Sequence, residues 1–198
     1  EFWEGGPTRV DGLYADFLKA LPPGVIRRRC GRGFRRREGD VSIAVLHPEM
    51  PAVAVGNDGS LLIEIALGRT AFLLTGDVGA ATERELLEAG FDLGSAVLKA
   101  GHHGSASSTS TAFLGAVRPG VVLVSAGEGN TYGFPSPEVL GRCRSAGAEV
   151  FRTDVDGAVE ISADGRRLLV RKAAGFAAKR DADFCLTRTT KSMIIVID

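Results

Sequence analysis

The ten residues 96–105, AVLKAGHHGS, place a short apolar run directly before two histidines that are flanked by glycines. Residues 72–77, FLLTGD, repeat this arrangement, with Asp77 following a second apolar run. Strand interiors deliver the residues that follow them to the edge of a sheet, where the functional sites of α/β proteins are commonly found. Both stretches therefore predict an α/β fold with candidate functional groups at strand ends.

The rest of the chain supports an α/β fold, because glycine-punctuated β-branched runs alternate with helical periodicity. Predicted helices cover residues 10–20, the segment from 78 to about 90, about 110–117, and a segment with Ser136 as N-cap and Pro137 at its first position. Predicted strands cover 41–46, 61–66, 71–74, 96–98, 121–125, 149–152, 158–161 and 167–171, with a hairpin connection at 67–70. We therefore expect one domain over 1–171 and a weakly ordered tail over 172–198, in which only 193–197 has strand character.

Composition excludes several classes of protein. A length of 198 residues fits a single globular domain, and 24 basic against 24 acidic side chains give no net charge that would favour nucleic acid or membranes. No stretch approaches the roughly 20 apolar residues of a membrane helix. Three separated cysteines exclude a disulfide framework and a cysteine zinc site. Because the chain starts at Glu1 without a signal peptide, we expect it to be a fragment of something longer.

The candidate metal ligands are Asp77, His102 and His103. Asp77 either projects into a site or caps the helix that begins near Val78, and this motif alone does not decide between the two. The histidine pair either binds a metal, for which neutral imidazole is the commonest ligand, or is satisfied within its loop. The only other histidine is His47, before Pro48 in a predicted turn. Because a hydrolytic zinc or manganese site needs at least three protein ligands per metal, these residues cannot complete a two-metal centre.

Several motifs in order resemble one known family. They are VLHP (45–48), NDGSLLIE (57–64), TGD (75–77), HHGS (102–105), SAGEGN (125–130), YGFPSPEVL (132–140) and RTDVDGAV (152–159). Their order and spacing resemble the C-terminal part of the metallo-β-lactamase-like domain of ComEC-type DNA-uptake proteins. The resemblance covers Trp3 to about Arg171 and does not cover the tail.

The resemblance implies a four-layer αββα sandwich of which only the C-terminal portion is present, and a site that hydrolyses phosphodiester bonds of DNA. It implies two divalent metals, zinc or manganese, in the intact domain, with Asp77 bridging them and either His102 or His103 as the last ligand. The other histidine would polarise the phosphate or protonate the leaving oxygen. Lys99 and Ser105 would touch phosphate, and Asp156 would act in loop structure. The implied partners are single-stranded DNA and the channel region of a parent in the bacterial cell membrane, with no small-molecule cofactor.

Two departures from the family pattern bear on activity. The HxHxDH motif, which normally supplies most of the ligands, is absent, and Phe2-Trp3-Glu4-Gly5-Gly6 resembles the segment that follows it. Truncation therefore explains the absence better than loss, and we expect this fragment to be inactive by itself. Phe134 stands where the pattern usually has histidine, and a phenylalanine can neither bind a metal nor carry a proton.

Seven arginines occur within residues 27–37, and Arg35, Arg36 and Arg37 are consecutive. Guanidinium groups bind phosphate well, so the cluster is a candidate DNA-tracking patch. The alternative is a solvated hairpin with arginines on both outward faces around Gly31 and Gly33. Phe34 is the only aromatic residue interleaved with the arginines, which favours the alternative.

Three functions follow from these observations. The leading hypothesis is a fragment of a DNA-uptake protein whose domain hydrolyses DNA. The second is a free-standing hydrolase of the same fold acting on another ester. The third is a metal-free domain with a DNA-binding or structural role, which Phe134 and the incomplete ligand set favour.

Overall fold

The computed structural model describes residues 1–5, 12–50, 56–172 and 192–197. Within these ranges the helices are α1 (Gly12–Ala20), α2 (Ala80–Glu88), α3 (Thr111–Val117), α4 (Pro137–Ser145) and α5 (Thr153–Asp156). The strands in the same ranges are β1 (Phe2–Glu4), β2 (Arg27–Arg29), β3 (Arg35–Glu38), β4 (Val41–His47), β5 (Leu62–Leu67), β6 (Thr70–Leu74), β7 (Val97–Lys99), β8 (Val121–Val124), β9 (Glu149–Arg152), β10 (Val159–Ala163), β11 (Leu168–Lys172) and β12 (Met193–Ile197). Among the described helices, none has both the length and the apolar character needed to span a membrane.

The main sheet has seven strands in the order β3-β4-β5-β6-β7-β8-β9. Strands β3 to β6 pair antiparallel, and β6 to β9 pair parallel. The predicted hairpin between β5 and β6 is confirmed, because Leu67 pairs with Thr70 across the turn. Gly68 in this turn has a φ of 56°, which glycine adopts at little cost.

Both faces of the main sheet are buried, because successive side chains along a strand point to opposite faces. Leu73 and Leu98 pack on one face with the buried side chains of α2, α3 and α4. Phe72 and Val97 pack on the other face against a three-stranded antiparallel sheet in the order β11-β10-β12. The protein is thus mixed α/β, with a large mixed sheet lying between helices and a smaller sheet.

Most of the predicted elements are confirmed to within one or two residues. Helix α4 begins as predicted, because the Ser136 hydroxyl accepts a hydrogen bond from the N–H of Val139 at 3.2 Å and Pro137 occupies the first turn. The predicted helix at 10–20 is confirmed over Gly12–Ala20, and its first two residues lie outside the described ranges.

The strand character expected at 193–197 is confirmed: β12 pairs with β10 from Ala163↔Met193 to Val159↔Ile197, and Met193 is completely buried. Most of the remaining tail, residues 173–191, lies outside the described ranges. The arginine cluster does not form a hairpin, because β2 pairs parallel with β1 and β3 pairs antiparallel with β4.

Candidate functional site

One edge of the main sheet collects the residues that follow its strands. The register pairs His47 with Leu62, and Leu74 with both Ile63 and Lys99, so the end of β4, the start of β5 and the ends of β6 and β7 lie together. The segment after β6 carries Asp77, and the segment after β7 carries the histidine pair. Sequence reasoning therefore placed these groups correctly at strand ends.

The two histidines have an unusual backbone conformation. His102 and His103 have φ of 45° and 55° within the tight turn Gly101–Gly104. Left-handed backbone is uncommon for residues other than glycine and concentrates at functional sites. The flanking glycines are required by space: a Cβ at Gly101 would lie 2.9 Å from the carbonyl oxygen of Val78, and one at Gly104 would lie 2.6 Å from Cβ of Pro135.

Hydroxyl groups and a guanidinium hold the loop that follows this turn. The Ser108 hydroxyl donates to the carbonyl oxygen of Gly101 at 2.6 Å, and the N–H of Gly101 donates to the Thr109 hydroxyl at 3.1 Å. Arg142 of α4 donates to the carbonyl oxygens of Ala106, Ser108 and Thr109 at 2.8–3.1 Å. The conformation of the histidine turn is thus tied to α4.

A buried carboxylate anchors the same loop to α2. Glu83 is 1% exposed, and its carboxylate accepts hydrogen bonds from the backbone N–H groups of Thr109 and Ser110, the latter at 2.9 Å. Carboxylates are rarely this buried unless they are paired. Here the two backbone donors replace the water that the carboxylate loses on folding.

Asp77 and His103 face each other. Nε2 of His103 lies 3.6 Å from Oδ1 of Asp77, and the two side chains are 47% and 36% exposed. Nδ1 of His103 lies 2.8 Å from the carbonyl oxygen of Ser125, which can only accept, so Nδ1 carries the hydrogen. In the neutral imidazole Nε2 therefore carries a lone pair, and it lies 3.6 Å from the Asp77 carboxylate, so the two groups are close enough to share a cation or a proton.

The second histidine has different partners. Nε2 of His102 lies 3.3 Å from Nδ2 of Asn57, and its ring packs edge-on to Phe134 with centroids 5.5 Å apart. Because the Asn57 amide nitrogen donates, it occupies the Nε2 lone pair of His102. The sequence left open which histidine belongs with Asp77, and the structure brings His103 to it.

Asp77 does not cap a helix. Helix α2 begins at Ala80, and its N-cap residue is Gly79, which has no side chain to cap it. The backbone N–H of Asp77 instead donates to the Ser60 hydroxyl at 3.3 Å. This geometry rules out the capping alternative and leaves the Asp77 carboxylate at the sheet edge.

Lys99 and Ser105 occupy different environments. Burial lowers the pKa of the Lys99 ammonium, and the nearby charge of Asp77 opposes this shift. Among the described residues, no carboxylate lies within ion-pair distance of Lys99. The Ser105 hydroxyl bonds to that of Ser107 at 3.0 Å within the loop. Lys99 therefore lies within electrostatic range of Asp77 and has no ion-pair partner among the described residues, whereas Ser105 belongs to the loop framework.

Most of the arginine cluster is paired with carboxylates. Arg27, Arg28, Arg29, Arg32 and Arg36 each form an ion pair with a glutamate. In the part of the chain that the structure describes, Arg35 and Arg37 form none, and both are exposed. Two of the three arginines predicted to bind nucleic acid therefore remain available to an anion.

The described residues do not complete a metal centre. Within the described ranges, no three histidine, cysteine, aspartate or glutamate side chains are arranged to hold one ion. His47 lies at the same sheet edge, but its Nε2 is 2.7 Å from the carbonyl oxygen of Asp58, and its buried Nδ1 has no hydrogen-bond partner. Asp77 and His103 thus form a pair of donors rather than a full ligand set.

Comparison with curated proteins identifies relatives of this chain. It is 34% identical over 141 residues to ComE operon protein 3 of Bacillus subtilis strain 168, covering 71% of this chain and 18% of that protein. It is 39% identical over 106 residues to competence protein ComA of Neisseria gonorrhoeae, covering 53% and 15% of the two chains. It is 35% identical over 130 residues to recombination protein 2 of Haemophilus influenzae, covering 65% and 16%. No protein-family model matches the chain.

The chain is related to ComEC-type competence proteins. It spans less than a fifth of the length of these relatives. The relationship agrees with the resemblance that the motifs around Asp77 and the histidine pair indicate.

Several residues of the candidate site were not predicted from the sequence. Asn57 and Ser125 fix the two histidine rings, and Glu83 anchors their loop. Asn57 and Ser125 lie in the motifs 57–64 and 125–130, so the sequence singled out the segments that contain them. It did not predict that they contact His102 and His103. Glu83 gave no signal, because an acidic residue on a predicted helix is ordinarily solvated.

Proposed function

We propose that this chain is part of a ComEC-type DNA-uptake protein, in which its domain hydrolyses phosphodiester bonds of DNA. The observation that carries the proposal is the Asp77–His103 pair, held at 3.6 Å at the sheet edge by the Ser125 carbonyl. The names of the relatives, which include competence and recombination proteins, support the biological context.

The proposed fold is the metallo-β-lactamase-like αββα sandwich, represented by its C-terminal portion. Three stacked layers support it: helices α2 to α4, the seven-stranded sheet, and the sheet β11-β10-β12. The position of the candidate site at strand ends supports it as well. The fourth layer would come from segments of the parent outside the described residues.

The donor pair fits part of a divalent metal site. Zinc binds histidine nitrogen and carboxylate oxygen at about 2.0–2.2 Å, so two such donors can be up to about 4 Å apart, which accommodates the observed 3.6 Å. Asp77 and His103 would hold zinc or manganese, and the remaining ligands would come from the parent protein. A bound ion of this kind supplies an activated water and neutralises charge on phosphate.

The residues around the pair would have separate roles. His103 and Asp77 would bind the metal, and the Ser125 carbonyl would keep the hydrogen on Nδ1 of His103 and leave the lone pair on Nε2. The Lys99 ammonium, which is desolvated and unpaired among the described residues, would attract a phosphate oxygen. His102, outside the donor pair, would position the phosphate or transfer a proton.

The proposed partners are single-stranded DNA and the channel region of a parent in the bacterial cell membrane. Exposed Arg35 and Arg37 would contact the DNA backbone, whereas Ser105 would contribute through the shape of its loop. Guanidinium groups without a carboxylate partner are the ones available to phosphate.

Cleavage of labelled single-stranded DNA by the domain as it occurs in the parent tests this proposal. With manganese or zinc we expect cleavage that a chelator abolishes, and we expect Asp77→Ala to abolish it as well. Glu88→Ala is the control, because Glu88 is an exposed carboxylate on α2. Full activity in Asp77→Ala, or no activity of the parent domain with either metal, would contradict the hydrolase.

A metal-free DNA-binding domain is the second candidate. Phe134 supports it, because it packs on His102 at a position where the family pattern usually has histidine. The absence of a third donor within the described ranges supports it also. This candidate predicts DNA binding that is indifferent to chelators and no cleavage by the parent domain.

A further inference from the structure

A pair of stacked aromatic rings lies next to the candidate site. The rings of Tyr132 and Phe134 have centroids 5.8 Å apart and planes inclined by 17°. Tyr132 is 78% exposed, so one face of its ring covers Phe134 and the other is open to solvent. Because the Tyr132 ring is so exposed, packing of the protein core does not explain its position.

The stack leads directly to the histidine pair. Phe134 contacts His102 edge-on at 5.5 Å, and the rings of His102 and His103 have centroids 6.5 Å apart. Four rings thus form a continuous series from solvent, through Tyr132, to the residue that faces Asp77. The exposed ring of Tyr132 is therefore connected to the candidate site through ring contacts.

The loop that carries the stack is fixed by side-chain hydrogen bonds. The Asn130 amide donates to the carbonyl oxygens of Gly127 at 2.9 Å and Phe134 at 2.7 Å, and its carbonyl oxygen accepts from the N–H of Phe134 at 3.1 Å. Gly133 between the two aromatic residues has a φ of 69°. These bonds fix the backbone on both sides of Tyr132, at Asn130 and Phe134, so less backbone entropy remains to be lost on binding.

We propose that the open face of Tyr132 stacks on an unpaired nucleobase, and that this contact selects single-stranded DNA at the site. The inference deepens the proposed function and rests on it for the identity of the ligand. Aromatic platforms bind bases of single strands largely independently of sequence, because every base has a π face. Bases in a duplex already stack on their neighbours, so the Tyr132 ring offers them no comparable gain in binding free energy.

Equilibrium binding to the 198-residue chain in the presence of a chelator tests the inference. The probes are a fluorescent oligothymidine, the same backbone with abasic sites, and a duplex of equal length. We expect Tyr132→Ala to weaken oligothymidine binding about tenfold, the loss of one base stack, and to leave abasic and duplex binding unchanged. Tyr132→Phe should retain wild-type affinity, since the phenyl ring keeps the π face.

Leu13→Ala is the matched control, because Leu13 is similarly exposed at 82% but lies on α1. We expect no change in any of the three affinities. Equal weakening of oligothymidine and abasic binding by Tyr132→Ala would overturn the inference, as would undetectable oligothymidine binding by the wild type. The measurement needs neither metal nor cleavage, so it tests the role of Tyr132 even if the domain does not hydrolyse DNA.

Discussion

Replacement of Glu83 by alanine should loosen the loop that carries the histidine pair. Glu83 is 1% exposed and accepts hydrogen bonds from the N–H groups of Thr109 and Ser110. Hydrogen bonds to charged groups contribute about 1.5–3 kcal/mol each. Alanine removes both and leaves two backbone donors without an acceptor, while relieving the cost of burying the charge. We expect a loss of about 3–5 kcal/mol in the free energy of unfolding.

Glu83→Gln separates hydrogen bonding from volume. Glutamine keeps one oxygen that can accept, but its amide nitrogen meets the second N–H as another donor. We expect it to cost about half as much as alanine, roughly 2 kcal/mol. Glu88→Ala on the same helix is the control: Glu88 is exposed, with Arg84 at 3.8 Å, and such exposed pairs contribute less than about 1 kcal/mol.

Urea unfolding followed by circular dichroism measures these differences, and amide hydrogen exchange localises them. In Glu83→Ala we expect faster exchange at Thr109 and Ser110 in particular, because these amides lose their acceptor. If Glu83→Ala costs no more than Glu88→Ala, the Glu83 carboxylate does not hold the loop.

Three further outcomes are expected elsewhere in the molecule. Burial lowers the pKa of Lys99, so the unfolded chain holds that proton more tightly, and wild-type stability should rise with pH toward the ordinary lysine pKa of about 10.4. Lys99→Met should remove this rise and increase the melting temperature at pH 7; unchanged pH dependence would contradict it. Met193→Ala should cost about 3 kcal/mol in urea unfolding, because the side chain is completely buried, and a cost near zero would mean that β12 is not docked. Arg35→Ala and Arg37→Ala should each reduce the logarithmic salt slope of single-strand binding by about 0.7, whereas ion-paired Arg36→Ala should change it less; equal effects of the three single substitutions would contradict the distinction.

Local sequence signals predicted the elements whose structure is decided locally. The apolar runs of β4 and β5, the glycine turn between β5 and β6, and the Ser136-Pro137 start of α4 all appear as expected. The strand at Arg27–Arg29 was not predicted, because three consecutive arginines show no alternation and the strand depends on pairing with β1. Contacts with residues far away in the sequence determine whether such segments form strands.

The candidate site was predicted in its residues but not in its connections. Strand ends identified Asp77 and the histidine pair, since that placement follows from local pattern. The sequence could not choose between His102 and His103, because the choice depends on Asn57, 45 residues away, and on Ser125, 22 residues away. The left-handed backbone at both histidines also depends on the surrounding loop rather than on their own preference.

In the proposed metal site, Asp77 and Nε2 of His103 would both be ligands of one divalent ion. Titration of zinc into the ¹⁵N-labelled chain, followed through the imidazole nitrogens, tests it most directly, because the chain has only three histidines to distinguish. We expect weak binding, since two donors are fewer than a complete site provides, with the largest shift at Nε2 of His103. Asp77→Asn should abolish that shift, and His102→Ala should preserve it. A larger shift at His102, or an unchanged His103 response in Asp77→Asn, would contradict binding of one ion by Asp77 and His103.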